Sequence, residues 1–180
     1  MPKVFLSPSL QEFNPFYGGG NEEYYMNLIA DAMEPYLNAS GIEFVRNNPD
    51  DSLTKTINDS NAGNYDLHLA IHSNASPASR QGEATGVQVY YYPSSKNGKR
   101  FADVITDNYK GLYFDPSDVV AIPTTNLAEL RRTKAPAALV EVAFHDNPTD
   151  AQWIRENINS IAATLARSIA DYFGVPFVSP

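Results

Sequence analysis

The chain of 180 residues contains no cysteine, which excludes disulfides and metal sites built from thiolates. It also lacks a basic cluster, since 13 Lys and Arg stand against 21 Asp and Glu and the net charge is −8. Nucleic acid is bound through clustered Lys and Arg, so we expect no nucleic-acid partner. No apolar run reaches the ~18 residues that a membrane-spanning helix needs, so we expect no membrane partner.

The length and the alternation of short apolar runs with amphipathic segments predict one α/β domain. We expect a twisted, mostly parallel or mixed sheet that is flanked by helices on both faces. The domain is placed at residues 1–176, with 177–180 as a C-terminal tail or the start of a linker. The expected oligomeric state is a monomer.

The stretch from Pro136 to Asn147 carries a carboxylate in an unusual position. Ala137 to Phe144 is an apolar run typical of a strand buried on both faces, and Glu141 lies in its middle. A buried carboxylate pairs with a cation, binds a metal or shifts its pKa. Two interpretations stay open at this point: a structural ion pair with a covering helix, or a catalytic group.

Two of the three histidines lie in one predicted strand, at positions 68 and 72. Side chains four residues apart on a strand share a face but lie roughly 13 Å apart, so both cannot ligate one metal ion. His72, at the end of the strand, is the candidate ligand, and His68 is interpreted as a hydrogen-bonded core histidine.

Glu22 and Glu23 begin the first long helix, where the helix dipole favours acidic residues in any protein. This position is also one from which a ligand can project into a site. A catalytic zinc takes three protein ligands and leaves one position for water. His72 and one of the two glutamates would supply two ligands, and Glu141 would remain free to act as a base.

Three motifs in this chain resemble those of the zinc-dependent N-acetylmuramoyl-L-alanine amidases, the family of bacterial autolysins and phage endolysins. The motifs are Glu22 eight residues before Ala30, then His72-Ser73-Asn74-Ala75, then Pro136 to Phe144 with Glu141. The resemblance extends over the whole chain. It implies a Zn²⁺ ion bound through Glu22 and His72, with Glu141 as the catalytic base and peptidoglycan as the partner.

The first family motif departs from the pattern, which marks a divergent branch. Where the family has Asp-Pro-Gly-His, this chain has Ser7 to Leu10, and a leucine cannot ligate a metal. Either Gln11, which the position after the first strand favours, supplies the third ligand, or His145 does, or the metal site is degenerate. If His145 is not a ligand, it could stabilise the oxyanion instead.

The resemblance also implies where substrate would bind. The loop from Gln11 to Gly20 is rich in glycine and aromatic residues, and Phe13, Phe16 and Tyr17 could line a groove for sugar and peptide or could simply pack. Asn74, with Ser73, would hold the loop that follows His72.

The implied reaction is hydrolysis of the amide between N-acetylmuramic acid and L-alanine of the stem peptide, outside the cell at the wall. The chain begins Met1-Pro2-Lys3 and enters a strand at once, so no signal peptide is evident and export would follow another route or a removed leader. Two alternatives remain: a module that binds peptidoglycan without cleaving it, and another zinc peptidase on the same scaffold.

Overall fold

The computed structural model describes all 180 residues and contains six strands and six α-helices. The strands are β1 (Lys3–Pro8), β2 (Glu43–Arg46), β3 (Leu67–Asn74), β4 (Val87–Tyr91), β5 (Val119–Pro123) and β6 (Ala137–Phe144). The helices are α1 (Glu22–Ala39), α2 (Leu53–Ala62), α3 (Lys96–Tyr109), α4 (Ala128–Arg132), α5 (Pro148–Glu156) and α6 (Ile158–Phe173).

The strands form one mixed sheet in the order β2-β1-β3-β6-β4-β5. All neighbours pair in parallel except β4 and β6, which are antiparallel. The predicted α/β class is therefore confirmed. Because β1, β3 and β6 run in the same direction, their carboxyl ends meet at one edge of the sheet, where open α/β folds place their ligands.

The two faces of the sheet are covered unequally. A cluster of 34 buried residues packs one face against helices that include α1, α3 and α6. The opposite face carries a cluster of only four buried residues, Ala70, Leu130, Ala137 and Leu139, beneath α4. His68, His72 and Glu141 alternate in step with Ala70 and Leu139, so all three lie on this thinly covered face.

Local chemistry fixes the helix that begins at the site. The Asn21 side chain accepts a hydrogen bond from the Tyr24 backbone N–H at 2.8 Å and so caps α1, which places Glu22 in the first turn. The sequence predicts one helix, or two with a break near Asn157, over Thr149 to Phe173, and the break is present, since α5 ends at Glu156 and α6 begins at Ile158.

Two boundaries differ from the sequence expectation. The sequence leaves Asn126 to Leu130 without a firm assignment, and the structure has the short helix α4 at Ala128–Arg132. The sequence predicts the third helix over Asn97 to Tyr113, whereas α3 ends at Tyr109, and the Tyr113 hydroxyl beyond it donates a hydrogen bond to Asp150 at 2.6 Å.

The last residues pack on the domain. Phe177 stacks on Tyr36 with ring centroids 5.7 Å apart, and the guanidinium of Arg167 lies 4.4 Å from the Phe177 ring. The domain boundary at residue 176 stays a prediction. None of the helices combines the length and the hydropathy that crossing a membrane requires.

Candidate functional site

A cavity of about 480 Å³ opens at the carboxyl edge of β1, β3 and β6, on the thinly covered face. It is lined by residues from the β1 end and the following loop, the start of α2, the start of α4, and strands β3 and β6: Ser7, Pro8, Leu10, Gln11, Phe13, Asp51, Ser52, Leu53, His72, Leu127, Ala128, Glu129, Leu139 and Glu141. Three of the predicted site residues, Gln11, His72 and Glu141, are therefore brought to one cavity.

Glu141 and His72 stand side by side on the floor of this cavity. They are register partners in the parallel pair of β3 and β6. The Oε2 atom of Glu141 is buried and has no hydrogen-bond partner. Burial raises the pKa of Glu141 to about 7, with the neighbouring His72 opposing the rise. A carboxyl with a pKa near neutrality can both accept and donate a proton.

Glu22 reaches the same place from the start of α1. Its Oε1 lies 3.0 Å from Nδ1 of His72 and accepts a hydrogen bond from the Ser73 backbone N–H at 3.3 Å. Burial opposes ionisation, but the hydrogen bonds and the charge of His72 hold the pKa of Glu22 below its usual value. Glu22 is therefore an anion in direct contact with the ring of His72.

Asn14 joins Glu22 to Gln11. Its Nδ2 donates to Oε2 of Glu22 at 2.7 Å and to Oε1 of Gln11 at 2.6 Å. The side-chain amide of Asn14 therefore hydrogen-bonds to one side-chain oxygen of Gln11 and to one of Glu22. Sequence reasoning missed Asn14; its one signal was a polar residue inside the aromatic loop.

Arg155 on α5 hydrogen-bonds to the backbone of the loop from Gln11 to Gly20. Its guanidinium donates hydrogen bonds to the carbonyls of Tyr17 and Gly19. Gly19 has φ of +113°, which a residue with a side chain rarely adopts. The loop that carries Gln11 and Asn14 is thus tied to the body of the domain.

Glu129 is the second residue that sequence reasoning missed. It lies on α4, is 3% exposed and lines the cavity. Its Oε1 is 2.9 Å from Nε2 of His68, and its Oε2 is 3.7 Å from Nε2 of His72. Burial opposes ionisation of Glu129, but the hydrogen bond with His68 and the charges of both histidines hold its pKa far below the usual range. The only sequence signal was an acid between two leucines, Leu127 and Leu130.

The two histidines of β3 differ in the way that the sequence predicted. His68 is fully buried, and its Nδ1 is 2.9 Å from the Ser60 hydroxyl, so both of its ring nitrogens have partners within the core. His72 faces the cavity. Burial lowers the pKa of His72, but Glu129 and Glu22, with the charge of Glu141, raise it to about 10.

His145 does not line the cavity. It is buried, with Nδ1 3.0 Å from the Ser73 hydroxyl and 3.1 Å from the Ser73 carbonyl, and its ring stacks on Phe16 at 5.4 Å. Its carbonyl accepts a hydrogen bond from the Tyr17 N–H at 2.8 Å. The geometry gives no support to a role for His145 as ligand or oxyanion donor, and that role stays a prediction from sequence.

The predicted substrate-binding residues fall in three different settings. Phe16 is 3% exposed and packs in the core, whereas Tyr17 is exposed on the surface. Asn74 donates a hydrogen bond from Nδ2 to Oε1 of Gln88 at 2.8 Å. Phe13, which is 74% exposed, is the aromatic residue of the loop that lines the cavity.

The donor set can be compared with the zinc ion that the sequence resemblance implies. No group of three His, Cys, Asp or Glu side chains lies close enough together to hold a metal ion. Two donors do converge, Oε1 of Glu22 and Nδ1 of His72 at 3.0 Å, and Gln11 offers a neutral oxygen that shares the Asn14 amide with Glu22. The residues therefore fit a metal held by two strong ligands and one weak one.

The family to which the chain belongs follows from comparison with known proteins. A model of the N-acetylmuramoyl-L-alanine amidase family matches residues 13–171. The chain is therefore a member of the N-acetylmuramoyl-L-alanine amidase family.

Two curated relatives illustrate the sequence similarity. N-acetylmuramoyl-L-alanine amidase LytC of Bacillus subtilis is 30% identical over 155 residues, which is 83% of this chain and 30% of LytC. Probable cell wall amidase LytH of Staphylococcus aureus is 29% identical over 158 residues, which is 87% of this chain and 50% of LytH. The chain thus spans half or less of the length of these relatives.

Solved structures share the fold. The amidase AmiC2 of Nostoc punctiforme superposes with a TM-score of 0.82 at 21% identity, covering 96% of this chain and 97% of that one. The catalytic domain of CwlV from Bacillus (Paenibacillus) polymyxa gives a TM-score of 0.78 at 22% identity, with 98% and 100% covered.

Proposed function

We propose that this chain hydrolyses the amide bond between N-acetylmuramic acid and L-alanine of the stem peptide in peptidoglycan, and that it does so at the cell wall. Membership of the amidase family supports the reaction, and the name of the staphylococcal relative, a probable cell wall amidase, supports the location. The partner is then peptidoglycan, and Zn²⁺ is the proposed cofactor.

The observation that carries the proposal is the state of Glu141. Its Oε2 is buried without a hydrogen-bond partner, and Glu141 lines a cavity of about 480 Å³. A structural carboxylate in a strand would be hydrogen-bonded to a cation, yet no Lys or Arg lines this cavity, and Nδ1 of the neighbouring His72 contacts Glu22 instead. An unpaired acid with a raised pKa is the arrangement expected of a general base.

The proposed roles follow from the positions of the side chains. Glu22 and His72 would hold the metal, with the Gln11 side-chain oxygen as a neutral third donor steadied by Asn14. A bound zinc ion lowers the pKa of a water molecule and polarises a carbonyl. Oε2 of Glu141 would take the proton of the attacking water and deliver it to the nitrogen of L-alanine as the amide bond breaks.

The walls of the cavity suit a neutral or apolar substrate surface. Phe13, Leu53 and Leu127 line it, and all its ionisable groups except His72 are acidic. Binding would therefore rest on apolar contacts with the sugar and the first peptide residues, and not on a cation that captures a carboxylate.

Digestion of purified peptidoglycan tests the proposal. The wild-type chain, loaded with zinc, should release a free L-alanine amine, identified by end-group labelling and mass spectrometry of the products. Glu141→Gln should release none above background, and Glu83→Gln, which removes an exposed carboxylate that is bonded to Arg80, should match the wild type.

Two other outcomes would refute the proposal. Sedimentation with the wall without any new amine would indicate a recognition module. A new amino terminus other than L-alanine would indicate a peptidase of different specificity.

A further inference from the structure

The face of the sheet beneath α4 carries a chain of polar side chains that leads to His72, and the proposed reaction uses no other member of this chain. It runs from the Ser60 hydroxyl to Nδ1 of His68 at 2.9 Å, and from Nε2 of His68 to Oε1 of Glu129 at 2.9 Å. It continues from Oε2 of Glu129 to Nε2 of His72 at 3.7 Å. Three elements, α2, β3 and α4, supply its members.

Glu129 is a costly residue to bury. Its side chain is 4% exposed, it lies on a helix of five residues, and an ionised carboxylate there needs partners. The His68 ring satisfies one oxygen at hydrogen-bond distance and is itself fixed by Ser60. The other oxygen is therefore held in a defined place, which is beside the ring of His72.

The two nitrogens of His72 meet different carboxylates. Nδ1 lies 3.0 Å from Glu22, and Nε2 lies 3.7 Å from Glu129, a distance for an ion pair and not for a direct hydrogen bond. Oε2 of Glu141 does not compete for the ring, because it has no hydrogen-bond partner. Each ring nitrogen of His72 thus faces a different carboxylate, Nδ1 that of Glu22 and Nε2 that of Glu129.

We propose that Glu129, oriented by His68, is a positioning residue of the amidase site: it occupies the Nε2 side of His72 and so directs Nδ1 towards Glu22. A carboxylate on the distal nitrogen of a metal-binding histidine fixes the orientation of the ring and makes the other nitrogen a better donor. The inference rests on the proposed function for its consequence, which is tighter zinc binding at Glu22 and His72.

The ring proton of His72 gives a readout that needs neither zinc nor substrate. The chain has only three histidines, so nitrogen-15 labelling of the imidazoles yields an assignable spectrum. In zinc-free protein we expect a proton on Nε2 of His72 that exchanges slowly with water. Glu129→Ala should abolish this slow exchange, whereas Glu129→Gln, which keeps the shape of the side chain and an oxygen beside Nε2 of His72, should keep it.

Zinc affinity, measured by competition with a chelator, gives the second readout. Glu129→Ala should weaken zinc binding by about 10- to 100-fold, as is typical when the partner of a metal-binding histidine is removed. Glu129→Gln should stay within a few-fold of the wild type, and Glu83→Ala, an exposed control that removes the same charge, should not change affinity. If Glu129→Ala fails to fold, Glu129→Asp keeps the charge but shortens the reach, and it should lose both the slow exchange and the affinity.

The two proposals fail separately. Unchanged exchange of the Nε2 proton in Glu129→Ala, or in Glu129→Asp where only that variant folds, would overturn the positioning role even in an active amidase. A wild-type chain that shows the protected proton and its dependence on Glu129, yet cleaves no peptidoglycan, would overturn the amidase proposal and leave the positioning role in place.

Discussion

Replacement of Glu141 by glutamine should abolish activity and at the same time stabilise the fold above neutral pH. The substitution keeps the shape of the side chain and removes its ability to take a proton. Loss of a general base costs about 10²- to 10⁴-fold in turnover. Release of L-alanine amine by Glu141→Gln should therefore fall by at least the lower figure.

The gain in stability follows from the pKa. Burial raises the pKa of Glu141 from 4.5 to about 7, so the folded state holds a proton that the unfolded chain loses. Stability contributed by the neutral acid is complete below pH 4.5 and is lost as the pH rises towards 7. A shift from 4.5 to about 7 corresponds to about 3 to 4 kcal/mol at most, and water in the open cavity lowers the expected contribution to about 1 to 3 kcal/mol.

Denaturant unfolding of zinc-free protein measures this effect. Glu141→Gln and the wild type should have similar free energies of unfolding at pH 4.5, and the variant should exceed the wild type by about 1 to 3 kcal/mol at pH 8. Glu83→Gln, at an exposed site, should show no such divergence. A difference between Glu141→Gln and the wild type that does not grow with pH would refute the interpretation of Glu141 as an unpaired buried acid.

Three further outcomes are expected. His72→Ala should lose zinc, as measured by metal analysis after gel filtration. Zinc binding to the wild type should release about one proton at pH 7.5, because the pKa of His72 is raised to about 10. Calorimetry in buffers of different ionisation enthalpy measures this release, and a result of no release would contradict the prediction. Gln11→Ala should release zinc, and Gln11→His should raise the affinity for zinc. His145→Ala should keep zinc and lower the free energy of unfolding by about 1 to 3 kcal/mol, since it removes a buried partner of Ser73. Loss of zinc in His145→Ala but not in Gln11→Ala would reverse the assignment of the third ligand. Asp150→Ala should cost about 3 to 5 kcal/mol in denaturant unfolding, because this buried carboxylate accepts hydrogen bonds from Tyr113 and two backbone amides; a loss below 1 kcal/mol would contradict its structural role.

The sequence predicted those parts of the fold that depend on local pattern. The sheet class, the start of α1 at Glu22 and the break at Asn157 all follow from periodicity and capping. The placement of Gln11, His72 and Glu141 at one cavity also follows, because the carboxyl ends of parallel strands share an edge.

What the sequence missed depends on packing between distant elements. Glu129 reaches the cavity because α4 covers the thin face of the sheet, and a helix of five residues leaves no periodic signal. His145 follows Glu141 by four residues, yet lies outside the cavity, since the register of β3 and β6 shifts between His72 and Asn74 and the chain then turns towards Phe16.

The contacts around His72 bear on the absence of a histidine at position 10, where the family has its first metal ligand. Leu10 lines the cavity and Gln11 beside it offers only a neutral oxygen, so the strong donors of the proposed zinc site would be Glu22 and His72 alone. A weak third ligand would place more of the binding free energy on His72, whose ring has a carboxylate on each side. Fixing a ligand before the metal arrives lowers the entropic cost of binding, so a site with fewer strong ligands gains most from a well-oriented one. The pairing of Glu129 with His68 would supply that orientation through side chains that lie entirely outside the amidase motifs of the sequence.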